Sequence, residues 1–212
     1  MIEQAWQTLS EPVESFISVA VSHWELVVTR QSGTALVTVR GPETKATSAT
    51  IPRDAVFLGI QFSLGTFMPG LPPWQLVDRS LTFPQATTTS FWLDGSRLEL
   101  PQPNNIDSFV DRLVRTGLLV HDPVVSSALR GDVQGLSMRS IERRVSRATG
   151  LTWGAIRQIR RAERAVELLS GGLSPIDVAY DAGYADQPHL TRSLKRFMGR
   201  TPSQIVASTP GD

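Results

Sequence analysis

Residues 137–150 and 186–199 are two versions of one pattern, 49 positions apart. Each opens on a residue that suits a helix N-cap, Ser137 or Asp186. Each then carries apolar residues at spacings of four and three: Ile141, Val145 and Ala148 in the first, Leu190, Leu194 and Phe197 in the second. That spacing puts them on one side of a helix. Arginines recur at matched positions outside the stripe, Arg143 with Arg192 and Arg147 with Arg196. Gly150 and Gly199 end the two copies, and Thr152 and Thr201 follow. Shared caps, core spacing and charge predict two equivalent short helices, each with an apolar back and a cationic front.

The second copy has a helix-turn-helix context. Ser174 suits an N-cap with Pro175 at the first helical position, and Ile176, Val178, Ala179 and Ala182 supply its apolar positions. Gly183 can take the positive φ of a tight turn before the helix that Asp186 caps. Pro188 falls in that helix's first turn, and its front shows His189, Arg192, Ser193, Lys195 and Arg196. Such a helix suits the DNA major groove. The first copy matches less well upstream: a helix is expected over about 123–130, but Gly183 has no glycine counterpart at position 134. Between the copies a longer helix runs from Thr152 to about Leu169, ended by Gly171-Gly172. Its expected apolar stripe is Ile156, Ile159, Ala162, Val166 and Leu169, with Arg157, Arg160, Arg161 and Arg164 outside.

The net charge of +1 hides an asymmetry. Residues 1–121 carry 8 Lys+Arg against 11 Asp+Glu, and residues 122–212 carry 13 against 9. Eight arginines lie between Arg139 and Arg164, and the whole chain has two lysines, Lys45 and Lys195. A solvated face is the ordinary use of such a run. There is no cysteine, which excludes a disulfide framework and a thiolate metal site. The first ten residues lack the basic and apolar regions of a signal peptide, and no apolar run approaches eighteen residues. A cytoplasmic protein with no membrane span is expected.

The N-terminal half has a β texture. Residues 1–14 are mildly polar and are expected to be partly disordered or a short helix. Strands are expected over Phe16–Arg30, Thr34–Arg40 and Val56–Phe62, with Gln31-Ser32-Gly33 as a hairpin signal. Phe91 to Leu100 reads as a strand or turn before Pro101. A helix from Asn104-Asn105 carries Ile106, Phe109, Val110, Leu113, Val114 and Leu118 at helical spacing. Four of the five tryptophans lie in this half. His23, Trp24 and Trp92 are the candidates for a ligand pocket, against the plainer reading that the aromatics fill a core. His23 and Glu25 are too few for a metal site. No nucleophile–base spacing stands out.

The expected fold class is α+β: a small mainly-β domain over 1–103, a connecting helix over 104–121, and an all-α domain over 122–209. That last domain holds two helix-turn-helix units joined by a long helix. Residues 122–206 resemble the DNA-binding domain of AraC/XylS-type bacterial regulators. The resemblance rests on Leu-Ser-Met-Arg-Ser-Ile-Glu-Arg-Arg-Val, on Thr-Gly-Leu-Thr, on Arg-Ala-Glu-Arg-Ala-Val-Glu-Leu-Leu, and on the two runs Leu173 to Gln187 and Leu194 to Pro202. Val145 and Leu194 stand where that family usually has Phe, and both keep the apolar role. The N-terminal part is less specifically similar to the short β sensor region of some members.

The resemblance implies a transcription regulator, no enzyme and no cofactor, whose partner is double-stranded DNA. Two recognition helices, 137–149 and 186–198, would read successive major-groove segments about 34 Å apart. Matched positions give Arg139, Ser140, Glu142 and Arg143 as base contacts in the first, and Gln187, His189, Thr191 and Arg192 in the second. Pro188 shares that exposed run but offers no hydrogen bond to a base. Arg143 and Arg192 can pair with guanine, Gln187 with adenine, and Glu142 can accept from cytosine or orient Arg139. Ser137, Arg147, Ser174, Lys195 and Arg196 are the phosphate candidates. RNA polymerase, a small-molecule effector and a homodimer are the further partners such a regulator implies. The competing classes are an enzyme in the N-terminal domain tethered to DNA, and a ligand-binding module whose DNA binding has decayed. The known methyltransferase fusions of this family need a cysteine that is missing here, and the intact caps and arginines oppose decay.

Overall fold

A computed structural model describes residues 1–10, 15–83, 86–132 and 135–208. Positions 11–14, 134 and 209, on which parts of the sequence reading fall, lie outside the described residues. The strands in chain order are β1 (Ile2–Leu9), β2 (Ser15–Ser18), β3 (Glu25–Gln31), β4 (Thr34–Arg40), β5 (Thr47–Thr50), β6 (Ala55–Phe62), β7 (Thr66–Phe67), β8 (Ser80–Thr82), β9 (Ser90–Leu93), β10 (Ser96–Glu99) and β11 (Val120–His121). The helices are α1 (Ile106–Arg115), α2 (Pro123–Arg130), α3 (Met138–Thr149), α4 (Trp153–Ser170), α5 (Pro175–Asp181), α6 (Gln187–Met198) and α7 (Pro202–Ser208). The chain is therefore mainly β in its N-terminal half and helical in its C-terminal half, an α+β protein. It packs as two compact units. One takes residues 1–14, 23–42 and 51–152; the other takes 15–22, 43–50 and 153–212.

The first unit is built on an antiparallel sheet in the order β1-β6-β3-β4-β8. The β3–β4 hairpin turns through Ser32 and Gly33, both at positive φ (48° and 76°). That is the two-residue turn whose twist matches the strands, and it fixes the register Gln31↔Thr34 to Glu25↔Arg40. Along β4, Ala35, Val37 and Val39 point inward and Leu36 outward, as period-two alternation requires. Asp94 and Gly95 make the same kind of turn between β9 and β10 (φ 47° and 73°). So Phe91–Leu100 is mostly a hairpin. Helix α1 buries Phe109, Val110 and Leu113 in the core with Phe91, Leu98 and Leu119. Trp24 stacks on Phe62 with ring centres 4.1 Å apart, and its indole N–H donates to the Thr66 carbonyl at 2.6 Å.

Two expectations fail in this half. Residues 2–9 form an edge strand against β6, neither helical nor irregular. Only Ile2 and Trp6 of that strand are even half-buried, so it lacks the alternation that marks a strand in sequence. The Trp6 indole occupies the place of a side chain on residue 59, which explains Gly59 in β6. The expected strand Phe16–Arg30 is two strands, β2 and β3, and they belong to different units.

Burial lowers the His23 imidazole from 6.5 to about 4. Its folded pKa lies below its unfolded one, so the stability it contributes is complete above pH 6.5 and lost as pH falls from there toward 4. We expect roughly 1 kcal/mol lost between pH 7.5 and 5.5. Burial also lowers His121, which adds in the same direction. Urea unfolding of the wild type and His23→Gln at both pH values checks this, the variant showing the smaller drop.

The second unit packs α4, α5, α6 and α7 around Ile156, Ile159, Ala162, Ala165, Leu169, Val178, Leu190, Leu194, Phe197 and Ile205. Ala165 is fully buried on the α4 stripe, while the expected Val166 is only half-buried. The short β2–β5 ribbon belongs to this unit, in the register Ser15↔Thr50 to Ser18↔Thr47.

Candidate nucleic-acid interface

Each helix pair is set by caps before any DNA is considered. In the first, the Asp122 carboxylate accepts from the Val124 amide at 3.1 Å, Pro123 opens α2, and Gly131 closes it at φ 81°. Ser137 caps α3 by accepting from the Ser140 amide at 3.3 Å, and Gly150 closes α3 at φ 74°. Ile141, Val145 and Ala148 are buried, and α3 packs on α2, β7 and the 3-10 turn Pro73–Gln75. Arg144 pairs with Asp122 at 2.9 Å, tying α3 to the cap of α2.

In the second, Ser174 accepts from the Asp177 amide at 3.3 Å and donates to the Asp177 carboxylate at 2.6 Å, a cap closed from both sides. Pro175 opens α5, and Gly183 turns the chain at φ 73°. Asp186 caps α6 by accepting from the His189 amide at 2.6 Å, and Gly199 ends it at φ 67°.

The two units correspond more closely than the 49-residue spacing alone shows. Asp122 and Ser174, Pro123 and Pro175, and Gly131 and Gly183 are each offset by 52, against 49 for Ser137 and Asp186. The first turn is simply longer, so Gly131 is the counterpart of Gly183, three residues before the position where a fixed offset places it.

The candidate base-contacting residues are on the open faces of α3 and α6. Arg139, Glu142 and Arg143 are exposed, as are Gln187 and Arg192; Ser140, His189 and Thr191 are half-buried. Among the described residues no ion pair holds Arg139, Arg143 or Arg192, and none joins Glu142 to Arg139. Thr191 donates its hydroxyl back to the Gln187 carbonyl at 3.0 Å. His189 accepts from the Ala185 amide through Nδ1 at 3.4 Å, leaving Nε2 as its free donor. Of the phosphate candidates, Arg147 lies over the Phe67 ring at 5.8 Å and Arg196 over the Phe197 ring at 5.1 Å. Lys195 is exposed, and Ser137 and Ser174 are exposed and engaged as caps. An anion at Ser174 would meet the Asp177 carboxylate already there.

What sequence reasoning missed is the support behind α6. Arg161 of α4 is half-buried; it was expected outside. It donates to the Gly183 carbonyl at 3.1 Å and its guanidinium lies 4.7 Å over the Tyr184 ring. Tyr184 meets His189 edge-on at 5.2 Å and its hydroxyl lies 3.1 Å from that of Ser193. One planar cation thus fixes the turn and, through Tyr184, the start of α6. Arg161→Ala is expected to cost about 1 kcal/mol of unfolding free energy. Arg161→Lys should not restore it, because an ammonium cannot stack and bond in that plane. Denaturant melts of the three proteins decide this.

The ligand candidates do not share one setting. Trp24 is a core residue; the cavity it lines with Val39, Met68 and Leu76 holds about 10 Å³, room for one water at most and none for a ligand. His23 is half-buried and Trp92 is half-exposed on β9. A larger groove of about 600 Å³ lies between α3 and the segment 67–74, bounded by Phe67, Pro72, Trp74, Arg143 and Arg147. Gly150 approaches the backbone of Pro73 there, and a Cβ would stand 2.8 Å from it. Among the described residues no three His, Asp or Glu side chains converge as a metal site needs.

The family described as "Helix-turn-helix domain" matches residues 132–208. This region is an AraC-type helix-turn-helix domain. The match takes in α3 through α7, with both candidate recognition helices of the AraC-type domain. The HTH-type transcriptional regulator RipA of Corynebacterium glutamicum is 31% identical over 96 residues, 44% of this chain and 29% of that protein. The chain thus aligns to less than a third of the length of the curated relative it matches. Among solved structures, ToxT of Vibrio cholerae covers 98% of this chain and 98% of its own, at 8% identity and a TM-score of 0.47. ToxT bound to (E)-4-(8-methylnaphthalen-1-yl)but-3-enoic acid covers 97% and 98%, at 9% identity and 0.47. Likenesses at that level carry nothing further. The relatives of the AraC-type domain are regulators and not an enzyme family. Among the described residues no helix is long and apolar enough to cross a membrane.

Proposed function

We propose that the protein is a sequence-specific, DNA-binding transcription regulator. Its DNA-binding domain is 122–209, and it reads two successive major-groove segments with α3 and α6. One observation carries this reading: two capped helices, each buried on its apolar back, present Arg143 and Arg192 unpaired at equivalent positions of the repeat. An arginine so placed can donate two hydrogen bonds to guanine O6 and N7. Gln187 offers the matching pair to adenine, with Arg139, Ser140, Glu142, His189 and Thr191 beside these anchors. Ser137, Arg147, Lys195 and Arg196 hold phosphates, while the Asp177 carboxylate on the Ser174 hydroxyl opposes that role for Ser174. Pro188 has no N–H to offer, so the second segment is read at fewer positions.

One chain carrying two readers spans about 20 base pairs as a monomer. A homodimer would double that. The protein works in the cytoplasm and acts on transcription with RNA polymerase as its partner. A small effector bound by the β-rich unit has a direct route to DNA reading, because α3 sits on β7 and the Pro73–Gln75 turn of that unit. The test is fluorescence anisotropy on a selected duplex and a scrambled one at stated salt. A regulator of this kind prefers its site by at least about 10³-fold. Equal affinity for both duplexes would reduce the protein to a non-specific binder.

A further inference from the structure

The β2–β5 ribbon does more than complete a fold. Its strands come from two separate stretches, 15–22 between β1 and β3 and 43–50 between β4 and β6. The pair is extended by Val21 and Glu43, whose backbones exchange two hydrogen bonds of 3.0 Å. The ribbon then seats on the end of the second recognition helix. The Ala20 amide donates to the Phe197 carbonyl at 2.7 Å, and the Ala46 amide donates to the Arg196 carbonyl at 2.8 Å. The last carbonyls of a helix have no partner within it, so these two amides fill that need for α6. Ile17 and Ala46 crowd Gly199, where a Cβ would stand 2.7 Å from Ile17 Cγ2.

This seat has an electrostatic consequence. Lys45 is the residue before Ala46, and it is exposed. Lys195 and Arg196 are exposed in the last turn of α6, and Arg200 just after it. The only two lysines of the chain, 150 residues apart in sequence, are therefore held at the same corner of one unit. Of the residues 43–50, Glu43 is the only acid; Thr47, Ser48 and Thr50 present exposed hydroxyl side chains. Cations interleaved with hydroxyl groups are the chemistry that holds a nucleic-acid backbone.

We propose that the ribbon is a third DNA-contacting element, in which Lys45 neutralises a phosphate flanking the segment read by α6. The proposal rests on the DNA-binding reading above. The ribbon carries no base-reading role; it positions the second reader along the backbone. The competing use of Lys45 is local, a cation complementing the negative end of the α6 dipole. The two differ in what salt does.

The test uses the full chain and a duplex carrying its selected site, with anisotropy titrations between 50 and 200 mM KCl. Lys45→Gln is expected to lower the slope of log K against log salt by about 0.9, the release of one phosphate's counterions. Lys45→Arg should retain the slope, and the double variant with Lys195→Gln should lose about 1.8. The fold-loss at low salt should be the same on selected and scrambled duplexes, and the melting temperature should not move. A slope unchanged in Lys45→Gln overturns the proposal. So does a lower melting temperature with no change of slope, the signature of the dipole role. A wild type that binds no duplex overturns the DNA reading and this proposal with it, whereas a wild type that binds and ignores Lys45 overturns this proposal alone.

Discussion

Leu194→Ala is expected to lower the unfolding free energy of the C-terminal unit by about 2–5 kcal/mol. Leu194 is 0% exposed, four residues from Leu190 and three from Phe197 on the inward face of α6. Truncation loses the burial of its isobutyl group and leaves a cavity that α4 and α5 can only partly close. Since no DNA-facing atom is removed, any loss of affinity must come through the seat of α6. Urea unfolding measures the first effect. The neighbouring Lys195→Ala should stay within about 0.5 kcal/mol, as exposed positions do. A loss below 1 kcal/mol for Leu194→Ala would mean that α6 is not held through this face.

Arg192→Ala is expected to leave stability unchanged and to cost about 1–3 kcal/mol on the selected site, with relaxed preference at one base pair. The guanidinium is exposed and has no partner among the described residues, so its removal disturbs none of their contacts. In a complex it would leave a guanine edge desolvated with no donor facing it. Arg143→Ala should behave alike at a different base pair. Because the two arginines stand on separate helices, the double variant should lose close to the sum. If Arg192→Ala weakens selected and scrambled duplexes equally, the residue is a phosphate contact and its guanine assignment is wrong.

The reading helices were legible in the sequence because every local signal agreed on them. Ser137, Asp186, Gly150 and Gly199 mark their ends, and the observed ends of α3 and α6 follow. The turn of the first unit was not, since a constant offset from Gly183 points at position 134, while the longer loop puts the glycine at 131. Edge strand β1 was missed because pairing on one side, with little burial, leaves almost no hydrophobic pattern. Asp94-Gly95 was a hairpin signal in plain view, obscured by reading Phe91–Leu100 as one piece. Ribbon β2–β5 had no such signal. Phe16–Ser18 of β2 fell inside the expected strand Phe16–Arg30 without its break before β3, Thr-Ser-Ala-Thr is too short and too polar to read as a strand, and the pair's role comes from backbone amides, which sequence does not distinguish. Arg161 was hidden among eight arginines between positions 139 and 164; only packing shows which of them turns inward.

In vitro selection from a random duplex library, run with the wild type, Arg143→Ala and Arg192→Ala, tests the central claim most directly. The expected result is a two-part motif whose centres lie about one helical turn apart, with each variant blurring one part and sparing the other. A library that returns no enriched motif, or a single block blurred by both variants alike, would contradict it.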